Sequence, residues 1–445
     1  MRCASLLQLT LVFVVCLLSG CAHYAPVDQD RLRRDVSWLA DDARGGRLPG
    51  TTGSIEAATY IEQAFMRSGL RPAFGESYRQ SFALRGALLK QSTTAPSTSP
   101  ASLRTDNVAG ILPGWREDEY VVIGAHYDHL GRGRFGSRAE KPGQIHNGAD
   151  DNASGTAAML EVMRSLAAGP RLRSSVLFVA FSAEESGLIG SNYFVKHSPV
   201  PTDKMLAMIN LDMVGRVRKQ TLFVGGGGTR ADFESVLKKI DDASTLSFKS
   251  IGQGGFGPSD HQSFAKQRVP VLFFFSGLHQ QYHHPDDDTF RVNFSGLADV
   301  ASVTRDVTIA LTQRRAEQYD DRFDGQGMDT DLDPSSQPTT GSATGPSTHS
   351  STQRKARASL GVIPDYGSDL SEAGVRIGGA VPESPAAGAG LVEGDVIVGF
   401  ADKLINNLID LSDALAKATP GDTVRIRYVR AGIEHHRDVK LSARR

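Results

Sequence analysis

Short apolar runs that are each followed by a cluster with acidic residues or histidine constrain the fold of this chain more than any other feature. The four runs are 119–125 (EYVVIGA), 175–181 (SVLFVAF), 205–211 (MLAMINL) and 270–275 (PVLFFF), and together they contain many β-branched and aromatic residues. Runs of this length and composition favour strands that are buried on both faces, as in a parallel or mixed sheet.

Helical patterns alternate with these strands. Residues 55–68 place Ala58, Ile61 and Phe65 on one face, and residues 156–166 carry apolar side chains at helical spacing. Residues 28–313 therefore predict an α/β fold, with a mixed, mostly parallel sheet that is flanked by helices.

Polar clusters follow the predicted strands or open a helix between them. They contain His126 and Asp128, Asp150 and Asp151, Glu184 and Glu185, Asp212, and His283 and His284. The carboxyl ends of the strands in an open α/β sheet meet at one crevice, so these side chains are expected to face one another.

The cysteines restrict the kind of metal site that these residues can form. Cys3, Cys16 and Cys21 all lie near the N-terminus, so a site in the α/β block has only imidazole and carboxylate ligands. Such ligands suit a catalytic divalent metal, zinc first. Two metals about 3.5–4 Å apart can share one carboxylate, which requires about five ligands and one free carboxylate as a base.

Together with the loop 46–50 (GRLPG) and the segment 107–114 (NVAGILPG), these residues closely resemble peptidase family M28, the zinc aminopeptidases. The resemblance covers residues 28–313 and implies a zinc exopeptidase fold with two zinc ions per chain, which removes N-terminal residues from peptides. It implies five metal ligands, which are His126, Asp151, Glu185, Asp212 and His283.

The resemblance also implies a role for each residue. His126 and Glu185 would hold one zinc, Asp212 and His283 would hold the other, and Asp151 would bridge them through a turn with a cis peptide to Asn152. Glu184 would be the general base on a zinc-bound water. Asp128 would orient His126 through its carboxylate.

Other residues near these motifs are expected to have lesser roles. His284 occupies a position where the family often has Thr or Arg, so His283 is the favoured ligand, although the loop to the following Asp-Thr pair is one residue longer than usual. The segment 259–261 (Ser-Asp-His) resembles a family motif near the substrate pocket and is expected to support the site without binding metal. His129 and His146 are expected to be loop histidines.

The N-terminus predicts export. Arg2 precedes a mostly apolar run at 6–18, which is too short for a comfortable membrane span and fits a signal peptide over residues 1–20. Residues 18–21 (Leu-Ser-Gly-Cys) resemble a bacterial lipobox, which implies lipidation of Cys21; an ordinary secretory signal or a short anchor is the alternative. Because Ala22 follows the cysteine where some retained lipoproteins have Asp, we expect an outer-membrane anchor that faces the periplasm.

Residues 321–355 are rich in Ser, Thr, Pro and Gly and predict a flexible linker. The segment 356–445 that follows resembles a small β-rich PDZ domain. Leu360, Gly361 and Val362 would form its carboxylate-binding loop, and 407–417 would be the helix beside a peptide groove. Such a domain binds a peptide or protein C-terminus; the alternative is a module that only packs against the peptidase block.

The charge balance of 49 Lys and Arg against 50 Asp and Glu gives no indication of a nucleic-acid partner. Two other functions remain open. The same fold also serves carboxypeptidases and single-zinc glutaminyl cyclases, and the PDZ domain could belong to a non-catalytic envelope adaptor. The complete ligand set and the tandem Glu184-Glu185 favour two metals and hydrolysis.

Overall fold

The structure is a computed structural model. It describes residues 24–84, 103–133, 137–139, 141, 143–251, 259–315, 320, 358–364, 374–381, 384–405, 411, 414–415 and 417–443. The predicted signal peptide, Cys21, the linker 321–355 and most of 407–417 lie outside these residues. No helix among the described residues is long and apolar enough to cross a membrane.

The first part of the α/β block contains two helices and four strands. They are α1 (Gln29–Leu39), α2 (Thr52–Arg67), β1 (Arg71–Pro72), β2 (Arg79–Ala83), β3 (Arg104–Leu112) and β4 (Arg116–His126). Helix α1 begins at Asp28, whose side chain accepts hydrogen bonds from the main-chain N–H groups of Asp30 and Arg31 and so caps the first turn.

The rest of the block alternates more regularly. Its elements are α3 (Gly155–Ala167), β5 (Ser174–Phe181), α4 (Ile189–Lys196), β6 (Met205–Leu211), β7 (Thr221–Gly225), α5 (Phe233–Asp241), β8 (Ser247–Ser250), α6 (His261–Ala265), β9 (Val271–Phe275) and α7 (Phe294–Thr312). Short 3-10 turns occur at Asp42–Arg44, Thr202–Lys204 and Thr289–Arg291.

Nine of the described strands form one sheet in the order β1-β3-β5-β4-β6-β9-β7-β8, with β2 paired to β3. The four central strands, β5, β4, β6 and β9, are parallel to one another. Strands β3 and β7 join them in the antiparallel sense, so the sheet is mixed with a parallel centre. The carboxyl ends of the parallel strands therefore lie along one edge.

Both faces of this sheet are covered. Val121 and Ile123 of β4 pack into a core that includes α1, α2, α3 and α7, whereas Val122 points to the other face, where Phe194 and Phe264 contribute from α4 and α6. Because successive side chains of a strand alternate between faces, a strand in the middle layer must be apolar at every position. This confirms the predicted fold class.

The C-terminal region has its own β-rich core. Its elements are β10 (Ala358–Ser359), β11 (Val362–Pro364), β12 (Val375–Ala380), α8 (Pro385–Gly388), β13 (Val396–Phe400), β14 (Lys403–Leu404), β15 (Thr423–Arg430), β16 (Ile433–Lys440) and β17 (Ser442–Ala443). Strands β11, β12, β13, β15 and β16 form an antiparallel sheet in that order, and β11 is its terminal strand among the described residues.

Candidate metal centre

Histidine and carboxylate side chains converge at the carboxyl edge of the central strands. His126 is the last residue of β4 and Asp212 directly follows β6, the neighbouring strand. Glu185 lies in the loop after β5, and Asp151 lies in the turn that leads into α3. His283 comes from the loop that follows β9. All five predicted ligands therefore reach the same place, as the sequence indicates.

Asp151 lies between two imidazoles, one on each of its oxygens. His126 Nε2 is 3.5 Å from Asp151 Oδ1 and 3.5 Å from Asp212 Oδ1. His283 Nε2 is 3.4 Å from Asp151 Oδ2 and 3.0 Å from Glu185 Oε2. The five side chains thus form two sets of three, one with Asp212 and one with Glu185, that share Asp151.

These separations fit a metal ion in each set. Tetrahedral zinc with ligand bonds of about 2.0–2.1 Å keeps its ligand atoms about 3.3 Å apart, which is the spacing seen within both sets. Each set has only N and O donors and leaves a fourth position for water or substrate. The residues present therefore fit two divalent metals that share one carboxylate.

This grouping corrects the expected pairing of ligands, in which His126 went with Glu185 and Asp212 with His283. His126 and Asp212 belong to one set because β4 is hydrogen-bonded to β6, so the residues at the ends of these strands emerge side by side. The loop after β9 brings His283 to Glu185 instead. Chain order does not reveal which strands are neighbours, so the pairing inferred from it was wrong.

The charge of the site also favours a cation. Burial raises the pKa of the Glu184 carboxyl well above its ordinary value, and repulsion from Glu185, Asp260 and Asp212 adds to the effect, against the opposing field of His126. Mutual repulsion among buried carboxylates is costly, and a bound cation relieves it. Glu184 Oε2 lies 3.9 Å from His126 Nε2, and the Glu184 carboxylate is close enough to His126 and Asp212 to border the metal position that they form.

Asp128 occupies a different place from the one expected. His126 Nδ1 is 3.2 Å from the main-chain oxygen of Asp128, whereas the Asp128 carboxylate is farther away at 3.8 Å. The carboxylate oxygen Oδ1 instead accepts the main-chain N–H of Glu184 at 3.1 Å. Asp128 thus fixes the ring of His126 with its backbone and the main chain of Glu184 with its side chain. Burial raises the pKa of Asp128 to about 7.

The turn that carries Asp151 is held on several sides. The peptide bond between Asp151 and Asn152 is cis, as the family resemblance implies. Asp287 Oδ2 accepts the N–H groups of Asp150 and Asp151 at 2.9 and 3.0 Å. The Asn152 side chain donates to the Leu211 carbonyl, so the turn is tied directly to the end of β6.

Arg47 links the loops that carry the candidate ligands to one another. Its buried guanidinium donates to the carbonyl oxygens of Leu39, Tyr127, Asn147 and Gly148 at 2.6–3.0 Å. Burial lowers the pKa of Arg47 to about 10, which leaves it charged at neutral pH. The GRLPG loop therefore supports the residues next to His126 and those before Asp151.

The remaining histidines divide between the site and its surroundings. His284 is partly exposed and accepts the Asp286 N–H, away from both metal positions, which agrees with the choice of His283. His146 hydrogen-bonds to Ser137 Oγ and the Gln144 carbonyl, as a loop histidine would. The prediction for His129 was wrong, because its Nδ1 lies 2.7 Å from Glu185 Oε1, inside the site.

The segment 259–261 lies against the site without entering either set. Asp260 is fully buried, and burial together with the Asp212 carboxylate raises its pKa to about 7. His261 stacks on Phe273 of β9 with ring centroids 4.5 Å apart. Both positions agree with the expected supporting role.

Comparison with known proteins identifies both regions. Residues 107–308 match peptidase family M28, and residues 355–441 match the PDZ domain. The α/β block of this chain is therefore similar to the M28 peptidases. Among relatives, a probable leucine aminopeptidase of Arthroderma otae is 28% identical over 190 residues, 41% of this chain and 50% of the relative. Aminopeptidase YwaD of Bacillus subtilis is 29% identical over 230 residues, 49% of this chain and 45% of the relative. The chain thus spans about half the length of these relatives.

Solved structures share the fold of the α/β block. The zinc aminopeptidase BSAP of Bacillus subtilis has a TM-score of 0.52 at 18% identity and covers 67% of this chain and 99% of its own. A Zn-dependent exopeptidase from Parabacteroides distasonis has a TM-score of 0.53 at 19% identity, with 64% and 99% covered. The glutaminyl cyclase of Tannerella forsythia has a TM-score of 0.52 at 20% identity, with 64% and 99% covered. At such identities the likeness establishes the fold alone.

Sequence reasoning missed three residues that the site uses. His129 lies three positions after the candidate ligand His126, and this short spacing was the one sequence signal that could have placed it in the site. Asp287 lies in the run of three aspartates after His283 that makes the loop longer than usual. Arg47 lies in the GRLPG loop, which was noted as part of the resemblance without a physical role.

Proposed function

We propose that the chain is a zinc aminopeptidase that binds two zinc ions and hydrolyses the first peptide bond of peptides with a free N-terminus. The observation that carries the proposal is the pair of three-residue sets that share Asp151, with the Glu184 carboxylate beside them. His126 and Asp212 would hold one zinc, and Glu185 and His283 the other. The names of the aminopeptidase relatives support the reaction.

Bound zinc would supply Lewis acidity, which polarises the scissile carbonyl and lowers the pKa of water. Glu184 is the base that takes the proton from the attacking water. Once the water oxygen has formed the new C–O bond to the carbonyl carbon, the same carboxyl gives that proton to the leaving nitrogen, and the C–N bond then breaks to release the amine. Asp128 keeps Glu184 in place through the Glu184 N–H.

Metal content and turnover of one preparation test the proposal. Zinc per chain is measured on protein that begins after Cys21, beside hydrolysis of aminoacyl-nitroanilides and of their N-acetylated counterparts. We expect about two zinc ions per chain and cleavage of free-amine substrates only. Absence of bound zinc after reconstitution would refute the metallopeptidase and favour an envelope adaptor.

Other reactions of the same fold are separated by product analysis. Peptides blocked at either end, and peptides that begin with glutamine, are incubated with the zinc-loaded protein. The masses of the products are then measured by mass spectrometry. Loss of the C-terminal residue would indicate a carboxypeptidase, and loss of ammonia from N-terminal glutamine would indicate a cyclase. Either result would replace the aminopeptidase proposal and keep the metal centre.

We infer that the PDZ domain binds a peptide C-terminus along β11. Gly361 has a φ of +73°, and an added Cβ there would lie 2.2 Å from Ser384 Cβ, so the loop requires glycine. Leu360 is buried in the domain core and anchors the loop. Binding of C-terminal peptides from a random library, compared with their amidated forms, tests the inference; equal binding of both forms would contradict it.

The N-terminal prediction remains a proposal. We propose that Cys21 carries a lipid that anchors the protein to the outer membrane, facing the periplasm. Labelling with a palmitate analogue should mark wild-type protein and leave Cys21→Ser unlabelled, and membrane fractionation gives the compartment. A labelled Cys21→Ser protein would refute lipidation at this residue.

A further inference from the structure

His129 lies inside the metal centre, where His129, Asp151 and Glu185 are close enough to hold a metal ion together, but it is not one of the five candidate ligands. It follows His126 by three positions in the loop after β4 and is fully buried. Its Nδ1 is 2.7 Å from Glu185 Oε1 and 4.0 Å from Asp151 Oδ2. The imidazole therefore makes one close polar contact, and that contact is to a predicted metal ligand.

The two oxygens of Glu185 have different partners. Oε2 lies 3.0 Å from His283 Nε2, on the side where this set would bind metal, and Oε1 faces His129. A carboxylate is only an acceptor, so the short contact requires that His129 Nδ1 carry the hydrogen. His129 thus occupies one oxygen of Glu185 and leaves the other available to metal.

The distances distinguish this contact from metal ligation. Within the two sets the N···O separations are 3.0–3.5 Å, close to the edge of about 3.3 Å that tetrahedral zinc imposes. The His129 contact of 2.7 Å is shorter than these and matches a charge-assisted hydrogen bond of about 2.7–2.9 Å.

The surroundings hold the ring in this orientation. An added Cβ on Gly148 would lie 2.5 Å from His129 Cδ2, so the main chain of the Asp151 turn packs directly on the imidazole. Its other nitrogen, Nε2, is buried without a hydrogen-bond partner among the described residues. The contact to Glu185 is therefore the one hydrogen bond that orients the His129 ring among the described residues.

We propose that His129 is a positioning residue that donates a hydrogen bond to Glu185 and thereby sets the affinity of the metal position formed by Asp151, Glu185 and His283. The inference rests on the metal centre of the proposed function, but it concerns metal affinity and does not depend on which amide is cleaved. Partners that orient a metal-binding side chain typically contribute 10–100-fold to metal affinity.

Two substitutions of His129 separate its roles. His129→Leu removes the donor and keeps an apolar side chain of similar bulk, whereas the amide of His129→Asn can still donate to Glu185 from near the place of Nδ1. Zinc affinity of both positions is measured by competition with a chromophoric chelator, and Co²⁺ titration follows coordination through the visible spectrum. His146→Leu is the matched control, because His146 is buried nearby without contacting any of the five ligands.

We expect His129→Leu to weaken one of the two metal positions by 10–100-fold and to leave the other unchanged. His129→Asn should restore the affinity and keep the wild-type Co²⁺ spectrum, and His146→Leu should bind both metals normally. Wild-type affinity at both positions in His129→Leu would overturn the proposal. Absence of metal from the wild-type protein would instead refute the proposed function.

Direct ligation gives a different result, which is accessible even if His129→Leu does not fold. In zinc-loaded protein labelled with ¹⁵N-histidine, a positioning His129 keeps its Nδ1 hydrogen, and the signal is assigned by its loss in His129→Asn. Loss of that hydrogen on zinc loading, together with an altered Co²⁺ spectrum in His129→Asn, would make His129 a ligand and overturn the proposal.

Discussion

Glu184 and Glu185 are adjacent residues with different surroundings. Glu185 lies between His283 and His129, and although burial tends to raise its pKa, these imidazoles lower it well below the ordinary value. Glu184 has a raised pKa, chiefly because it is buried. The loop holds both side chains in place, since Ala183 has a φ of +60° and the Glu184 carbonyl accepts the N–H groups of Gly187 and Leu188. One carboxylate suits metal binding and the other suits proton transfer.

Glu184→Gln should therefore remove the base and keep the metals. We expect kcat to fall by about 10²–10⁴-fold, because the amide cannot accept the proton of the attacking water. Zinc content by atomic absorption should remain that of the wild type. His284→Gln is the control and should retain full activity, since His284 lies away from both metal positions. Near wild-type turnover in Glu184→Gln would exclude this role for Glu184.

At the scale of elements, the site depends on its strands and also on hydrogen bonds that link the loops after those strands to one another. Arg47 lies in the GRLPG loop and donates hydrogen bonds to the loop after β4 and to the loop before α3. It acts on main-chain oxygens, so it supports the ligands without contacting them.

Arg47→Met should destabilise the peptidase domain. The change leaves the buried carbonyl oxygens of Leu39, Tyr127 and Asn147 without their donor, whereas that of Gly148 still accepts the Ala153 N–H. Each buried unsatisfied group costs about 1–3 kcal/mol, so we expect a loss of roughly 3 kcal/mol or more. Urea unfolding followed by circular dichroism measures this. Arg67→Met, at an exposed position on α2, should change stability by less than about 0.5 kcal/mol. Equal stability of the two variants would refute the role of Arg47.

In the PDZ domain, an ion pair between Asp395 and Arg430 links the segment before β13 to β15. Both oxygens of the buried Asp395 accept from this guanidinium, at 2.6 and 2.7 Å, and Oδ2 also accepts the Val392 N–H. Burial tends to raise the pKa of Asp395, but these hydrogen bonds outweigh it and lower the pKa.

A lowered pKa in the folded state means that the ion pair stabilises the domain above the unfolded pKa of about 3.9 and that this stability is lost as the pH falls further. Asp395→Asn should remove roughly 2 kcal/mol at pH 7 and flatten this acid dependence. Thermal unfolding of the full chain between pH 3 and 7 measures both effects. An unchanged pH dependence in Asp395→Asn would contradict the assignment.

At the scale of the whole molecule, metal binding should stabilise one of the two folded regions. Ligands that bind only the folded state add RT ln(1 + [L]/Kd), which is about 2.7 kcal/mol at 100 times Kd. Chelation of zinc should therefore lower the unfolding temperature of the peptidase domain and leave that of the PDZ domain unchanged. Differential scanning calorimetry with and without chelator tests this, and the same thermogram in both would mean that metal does not bind the folded protein.

The sequence predicted the parallel centre of the sheet well, because residues 120–125 of β4 and most residues of β5, β6 and β9 are apolar, and only strands covered on both faces need this. The polar clusters were expected to meet because they follow strands or open a helix, and the family resemblance selected the five candidate ligands among them. Their division into two sets was not found, since it depends on β4 lying next to β6, and that neighbourhood is a property of the assembled sheet.

His129, Asp287 and Arg47 were missed for a related reason. Each acts through a contact with a residue remote in sequence: Glu185 for His129, the Asp151 turn for Asp287, and carbonyl oxygens around residues 127 and 147 for Arg47. Their residue types are common in loops, so only the tertiary structure distinguishes them from ordinary surface residues.

The order of the ligands along the chain has a consequence for biogenesis. The set of His126, Asp151 and Asp212 is complete in the polypeptide before β9 has been made, whereas the set with Glu185 lacks its imidazole until His283 emerges. The proposed metal position with Glu185 can therefore be completed only after nearly the whole α/β block has been made.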